Sequence, residues 1–251
     1  MDRNNRPSMN TLTSEDILQV VMLVEQINST GWARTYLVTC TSHSLAALID
    51  PIHANIERDL ALIEERGLTL KYVIGTHTHA DHISGGWELT AKSGCDFLML
   101  EGALTHGVTR TVTTDSNLWM GGVEFTFYAS PGHTPDSMCI EIPGFLFTGD
   151  FLFNGGGGTG RDDLPGGSLE VHWQALSILE GINEHTQIMS GHEAPGTEPQ
   201  TLLWNREHNP VLQMSSFEEY KTWQESEWER LGSVSAIGVA LPANLSGEVP
   251  Q

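Results

Sequence analysis

Apolar residues along this chain recur with two periods, and the alternation between them outlines the fold. Residues 17–26 are rich in Val, Leu and Ile, and residues 35–40 and 45–49 read as a strand pair around a polar turn, closed by Asp50-Pro51. Over 54–67, Ile56, Leu60 and Ile63 fall at i, i+4 and i+7, and Gly67 supplies a stop, which predicts an amphipathic helix. A strand over 70–74 and a short helix over 87–92 follow. In the second half, 123–128 alternates as a strand, and 138–142 and 145–147 form a hairpin around Pro143-Gly144. Residues 168–180 place Leu169, Trp173, Leu176 and Leu179 on one helical side, and 187–189 is a further strand. The expected organisation is a polar tail over 1–16 and one α/β domain over 17–251 with a short helical C-terminal extension.

The joint between the 70–74 strand and the next helix carries unusual chemistry. Thr76-His77-Thr78-His79-Ala80-Asp81-His82 sets three imidazoles and a carboxylate within six residues. If the segment leaves the strand still extended, His77, His79 and Asp81 share one face and His82 follows at the turn. Neutral imidazoles converging with a carboxylate are ligands for a transition metal. Three other strand ends offer residues of the same kind: His133 after Pro131-Gly132, Asp150 after Thr148-Gly149, and His192 after Gly191. Singly, each is readily a solvated or hydrogen-bonded side chain; together with the first segment they form one hypothesis. His43, His53, His106, His172, His185 and His208 lack such a setting and are expected in surface or capping roles.

Charge narrows the partners. Twelve Lys and Arg against 32 Asp and Glu leave a net charge of −20, which repels nucleic acid and anionic membranes. An anionic small molecule then needs a local cationic anchor. With 39% hydrophobic residues the chain has material for a core, and it has neither an apolar run of about 20 residues nor an apolar signal segment at its start. A soluble, cytoplasmic protein with Cys40, Cys95 and Cys139 as reduced thiols is expected. The run Gly155-Gly156-Gly157-Gly158 is not a phosphate loop, since Arg161 and Asp162 stand where Lys and Ser or Thr are needed. It reads either as a flexible turn or as the rim of a site.

The order HxHxDH, then Gly132-His133-Thr134, Thr148-Gly149-Asp150 and Gly191-His192 resembles the metallo-β-lactamase superfamily from about Thr35 to His192. The resemblance implies an αββα four-layer sandwich with a metal site at one edge. In the dinuclear hydrolases of that superfamily, one metal takes the positions of His77, His79 and His133. The other takes those of Asp81, His82 and His192, with Asp150 bridging. A thioester hydrolase of the glyoxalase II type with two zinc or iron ions is one implied function.

A narrower resemblance is to the persulfide dioxygenases. Its carriers are Ser130-Pro131-Gly132-His133-Thr134-Pro135, Phe147-Thr148-Gly149-Asp150, Gly158-Thr159-Gly160-Arg161-Asp162-Asp163-Leu164-Pro165, Asn209-Pro210 and Pro242-Ala243-Asn244. It implies one Fe(II) per chain held by His77, His133 and Asp150, with His79, Asp81, His82 and His192 orienting them. The implied reaction, part of sulfur metabolism, oxidises a glutathione-type persulfide with O2 to sulfite and thiol. Two zinc ions or a mixed zinc/iron pair remain the alternative, as does a non-catalytic binding protein on the same fold.

Two departures bear on substrate. After His192 this chain reads Glu193-Ala194-Pro195-Gly196, where both families usually place an acid followed by Tyr, and its acidic tail is shorter than that of glyoxalase II. Arg161 is the first candidate for a substrate anchor, with a salt bridge to Asp162 or Asp163 as its structural alternative; Arg206 and Lys221 come next. Trp204, Phe217, Tyr220, Trp223 and Trp228 fall in two expected helices, as core packing or a homodimer face.

Overall fold

In a computed structural model, which describes residues 22–28 and 31–250, the chain forms two six-stranded sheets stacked face to face with helices on both outer sides. The first sheet runs β1 (Met22–Gln26), β2 (Tyr36–Cys40), β3 (Leu45–Ile49), β4 (Thr69–Ile74), β5 (Asp96–Leu100) and β6 (Arg110–Val112), each beside the next. β1 to β3 are antiparallel. From β3 onward the pairing is parallel: α1 (Ile56–Glu65) and α2 (Gly86–Ser93) make the first two crossovers, and a loop over 101–109 joins β5 to β6. The second sheet comprises β7 (Asn117–Met120), β8 (Val123–Ala129), β9 (Met138–Ile142), β10 (Phe145–Gly149), β11 (Gln187–Ser190) and β12 (Gln200–Thr201). Its one parallel pair, β10 with β11, is bridged by α3 (Leu169–Ala175).

The side-chain alternation of the strands separates three cores. Tyr36, Val38, Ala47 and Ile49 point between the sheets toward Phe125, Phe127, Ile140 and Phe147, while Leu37, Ala46 and Leu48 point at α1 and α2 with Ile56, Ile63 and Leu89. Both faces of β2 and β3 are covered, which is why they read as unbroken apolar runs. Cys139, Leu146 and Ile188 build the third core under α3. This is the four-layer sandwich that the resemblance implies.

Several element limits differ from expectation. The helix over 54–67 begins as a 3-10 turn at His53–Asn55 before α1. The helix over 168–180 is α-helical only to Ala175 and tightens to 3-10 over Leu176–Gly181, still burying Leu179. Positions 17–21 of the first expected strand and the tail over 1–16 lie outside the described residues. Beyond β12 come α4 (Leu202–His208), α5 (Phe217–Leu231) and α6 (Ile237–Ser246). No helix among the described residues is long and apolar enough to cross a membrane.

Candidate metal centre

The four motif loops meet at one edge of the sandwich, but the His-rich segment does not continue extended. Pairing in β4 ends at Ile74, and the chain bends at residues 76–77 and again at 80–82. The cause is Asp50, at the end of β3. Its Oδ1 accepts from the Thr76 amide and its Oδ2 from the Thr76 hydroxyl, both at 2.7 Å. His77 groups with His133 and Asp150, and His79 with Asp81 and His82, but the two groups adjoin, with the His77 and His79 ring centroids 4.1 Å apart. In each group one ligand atom per residue lies within 4.8 Å of the others. Gly149, which aims Asp150, has φ of +50°, and a Cβ there would meet the Thr76 hydroxyl at 2.4 Å.

Hydrogen bonds fix what each imidazole presents. His133 Nδ1–H donates to the Arg161 carbonyl at 2.6 Å, so Nε2 keeps its lone pair, 3.7 Å from Asp150 Oδ2. His77 Nδ1 lies 3.0 Å from the Thr76 hydroxyl, whose own proton goes to Asp50; the hydroxyl can only accept, and His77 Nε2 is left as a ligand. Burial, then the neighbouring His79, holds His77 neutral, with its pKa well below the usual histidine value. Metal binding needs that form.

His192 differs. Its Nδ1 is 2.6 Å from Asp150 Oδ1 and its Nε2 is 2.8 Å from Asp81 Oδ2. Burial opposes its charge, but the carboxylates, Asp150 first, raise its pKa well above the ordinary value. Each of the two contacts suits an imidazole N–H donating to a carboxylate. Asp150 is ionised in turn: burial works against it, yet His192, His77 and His133 hold it below the carboxylate range.

Both groups fit a metal ion. The first does so by its donors, two Nε2 lone pairs and a carboxylate. The second does so through two orphans: His79 Nδ1 and His82 Nε2 are buried without a hydrogen-bond partner. His79 turns its other nitrogen to Asp50 Oδ1 at 3.2 Å. A buried unpaired polar atom costs about 1–3 kcal/mol, so a cation between these two nitrogens and Asp81 would relieve a real deficit.

A cavity of about 1080 Å³ opens over Asp81, His133, Asp150 and His192. Gly155, Gly156 and Gly157 line it, so the glycine run is a rim of the site. Trp204 and Trp223 lie against Gly155 and Gly158, Tyr220 is fully buried and Trp228 donates to Gln224, so these aromatics pack on the rim loop and into α5. Arg161 lines the cavity, but its Nε and Nη2 each bind Asp163 at 2.6 Å and its Nη1 binds the Gly232 carbonyl at 2.7 Å. Asp162 instead bridges His172 Nδ1 and the Tyr220 hydroxyl, each at 2.6 Å. His172 is thus a core residue, correcting the expected surface role, because Asp162 and the Phe151 carbonyl satisfy both its nitrogens. Arg206 and Lys221 are not among the residues that line the cavity.

Two residues of the site were not singled out as such in the sequence. Asp50 holds Thr76 and His79, and only its place at the end of a strand marked it. Asn244, in α6, donates to the carbonyls of His79 (2.8 Å) and His82 (2.9 Å) and accepts from the Ser84 amide (2.8 Å), fastening the C-terminal helix to the metal loop. Its signal was the Pro242-Ala243-Asn244 triplet.

Known proteins share the family and the fold. The family model described as Metallo-beta-lactamase superfamily matches residues 33–192. A hydroxyacylglutathione hydrolase of Idiomarina loihiensis is 31% identical over 179 residues, 71% of this chain and 69% of that protein. The persulfide dioxygenase ETHE1, mitochondrial, of Bos taurus is 29% identical over 231 residues, 90% of this chain and 88% of that protein. The crystal structure of ETHE1 from Myxococcus xanthus superposes with a TM-score of 0.83 at 29% identity, covering 90% of this chain and 99% of that one.

Proposed function

The chain belongs to the metallo-beta-lactamase superfamily, and on that premise we propose that it is an iron-dependent persulfide dioxygenase with one Fe(II) at His77, His133 and Asp150. The reaction is R–S–SH + O2 + H2O → R–SH + SO3²⁻ + 2H⁺, with glutathione persulfide as the reference substrate. The observation that carries the reading is the donor set itself: His77, His133 and Asp150 bring two imidazoles and one carboxylate together with their ligand atoms within 4.8 Å of one another. The ETHE1 likenesses, which span 90% of the chain, support the same reading.

Fe(II) bound by two imidazoles and one carboxylate supplies open coordination positions and the one-electron chemistry that makes O2 reactive toward sulfur. The chain's own contribution is geometric and electrostatic. Arg161 O and Thr76 Oγ1 fix the tautomers of His133 and His77, an outer-layer role that ligating histidines commonly require. His192 lies within hydrogen-bond distance of both Asp150 and Asp81 and so orients the carboxylate beside the triad. Phe153 and Leu164 in the cavity wall limit water around the reacting sulfur.

A second reading, a dinuclear thioester hydrolase, is favoured by the His79, Asp81 and His82 group and its two orphaned nitrogens. The deciding test is oxygen uptake and sulfite release with glutathione persulfide and smaller persulfides, beside cleavage of S-lactoylglutathione, with metal counted per chain. About one iron and persulfide-dependent O2 uptake is the expected result. Thioester cleavage by a protein holding two metals, without that uptake, would sink it.

A further inference from the structure

The net charge of −20 demands a cationic anchor for an anionic carrier, and the cavity offers no cation without its own carboxylate. Its lining includes two arginines and no lysine. Arg161 is held by Asp163 through two bonds of 2.6 Å and by the Gly232 carbonyl. Arg230 lies on Glu227, with Nε at 2.9 Å. An adjoining hollow of about 290 Å³ contains Arg34, but that side chain is 4% exposed, donates to the Thr197 carbonyl, and shares its wall with Glu193 and Glu198. Glu198 lines both hollows, and its carboxylate has no ion pair among the described residues. Ala194, also in the lining, stands where the resembled families usually place Tyr, and offers no side-chain donor.

The rest of the wall is apolar. Trp32 is 63% exposed and Leu231 51% exposed within it, beside Phe153, Leu164 and Val234. An exposed indole beside carboxylates receives an alkyl body or an ammonium group equally well. It does nothing for a carboxylate.

We propose that this site takes a sulfur substrate whose carrier bears no net negative charge, neutral or ammonium-bearing with a short alkyl body, and that Asp163 sets this preference by neutralising Arg161. The proposal rests on the thiol-persulfide reading for the reacting sulfur only; the carrier preference is a matter of binding. A substrate carboxylate reaching the outer wall of the cavity would lose water and gain no cationic side chain free of its own carboxylate, a difference of about tenfold or more in affinity.

Unreactive thioethers separate this from the reaction itself. Calorimetric binding to the full, metal-loaded chain would compare 2-(methylthio)ethylamine, 2-(methylthio)ethanol, 3-(methylthio)propionate and S-methylglutathione at low ionic strength. The amine and the alcohol are expected to bind about tenfold or more tightly than the two carboxylates, with the amine's advantage shrinking as salt is added. Asp163→Asn should tighten the propionate severalfold and leave the alcohol unchanged; Glu198→Gln should weaken the amine alone. Carboxylates that bind as tightly as the alcohol, or no measurable binding by any of the four, would overturn the proposal. Failure of persulfide-dependent oxygen uptake would overturn the dioxygenase reading and leave the binding order standing.

Discussion

His133 and Arg161 are joined from side chain to backbone: the imidazole Nδ1–H donates to the Arg161 carbonyl at 2.6 Å, and this leaves Nε2 as the free lone pair beside Asp150. His192 uses both its nitrogens on Asp150 and Asp81. The two histidines are therefore expected to respond differently to truncation. His133→Ala should lose nearly all bound iron and its O2 consumption; His192→Ala should keep most of the iron. Elemental analysis of the purified variants is the check, and equal loss in both would return the site to two ions.

Asp50 lies behind the ligands, accepting from Thr76 twice and from His79 once. It holds φ of +49°, a conformation that Asn tolerates, so Asp50→Asn preserves the backbone while removing the charge. Metal affinity should fall about 10–100-fold, the usual loss when a residue supporting the ligands is changed. Competition against a chelator measures it. Unchanged affinity would make Asp50 a purely structural residue.

Asn244 is fully buried and is the fastener between α6 and the metal loop. Asn244→Ala leaves the Ser84 amide and two carbonyls without their partner, a cost of about 3 kcal/mol. Thermal unfolding should then come roughly 6–12 °C earlier. Hydrogen exchange should rise first over residues 79–84, because the amide freed by the change lies there.

Cys139 gives the protein an alkaline limit. Burial pushes its thiol up to about 12, against a weaker pull from Ser130. A group whose folded pKa is raised contributes stability that is whole below its unfolded pKa, near 9, and lost as pH climbs through the folded value. The loss is on the order of 4 kcal/mol between those limits. Denaturant titrations at pH 8.5 and 11 should show about two-thirds of it, and Cys139→Ala should shrink the difference. Part will persist, since burial and Glu141 raise Tyr128 to about 12 as well.

The sequence by itself determined which residues are candidates for the chemistry and which strands deliver them. Apolar runs placed β2, β3 and β4 and a helical period placed α1, because elements with well-buried faces leave an imprint in the sequence. The density of His77, His79, Asp81 and His82, with His133, Asp150 and His192 at later strand ends, was legible because metal ligands come in few residue types. Short elements left little trace: β6 is three residues long with two exposed, and α6 has a proline within it.

Partnership was decided only in three dimensions. Strand alternation alone would put His77, His79 and Asp81 in one set; Asp50, brought to Thr76 from the end of the neighbouring strand, pins the bend, and His77 meets His133 and Asp150 while His79, its ring still 4.1 Å from that of His77, meets Asp81 and His82. Arg161 precedes two aspartates in sequence, and the buried pair of His172 and Tyr220 claims Asp162, which leaves Asp163 to neutralise the arginine. Local pattern reports how a segment folds. Which donor meets which acceptor depends on chain ends brought together by the packing of the two sheets, and no local pattern encodes that distance.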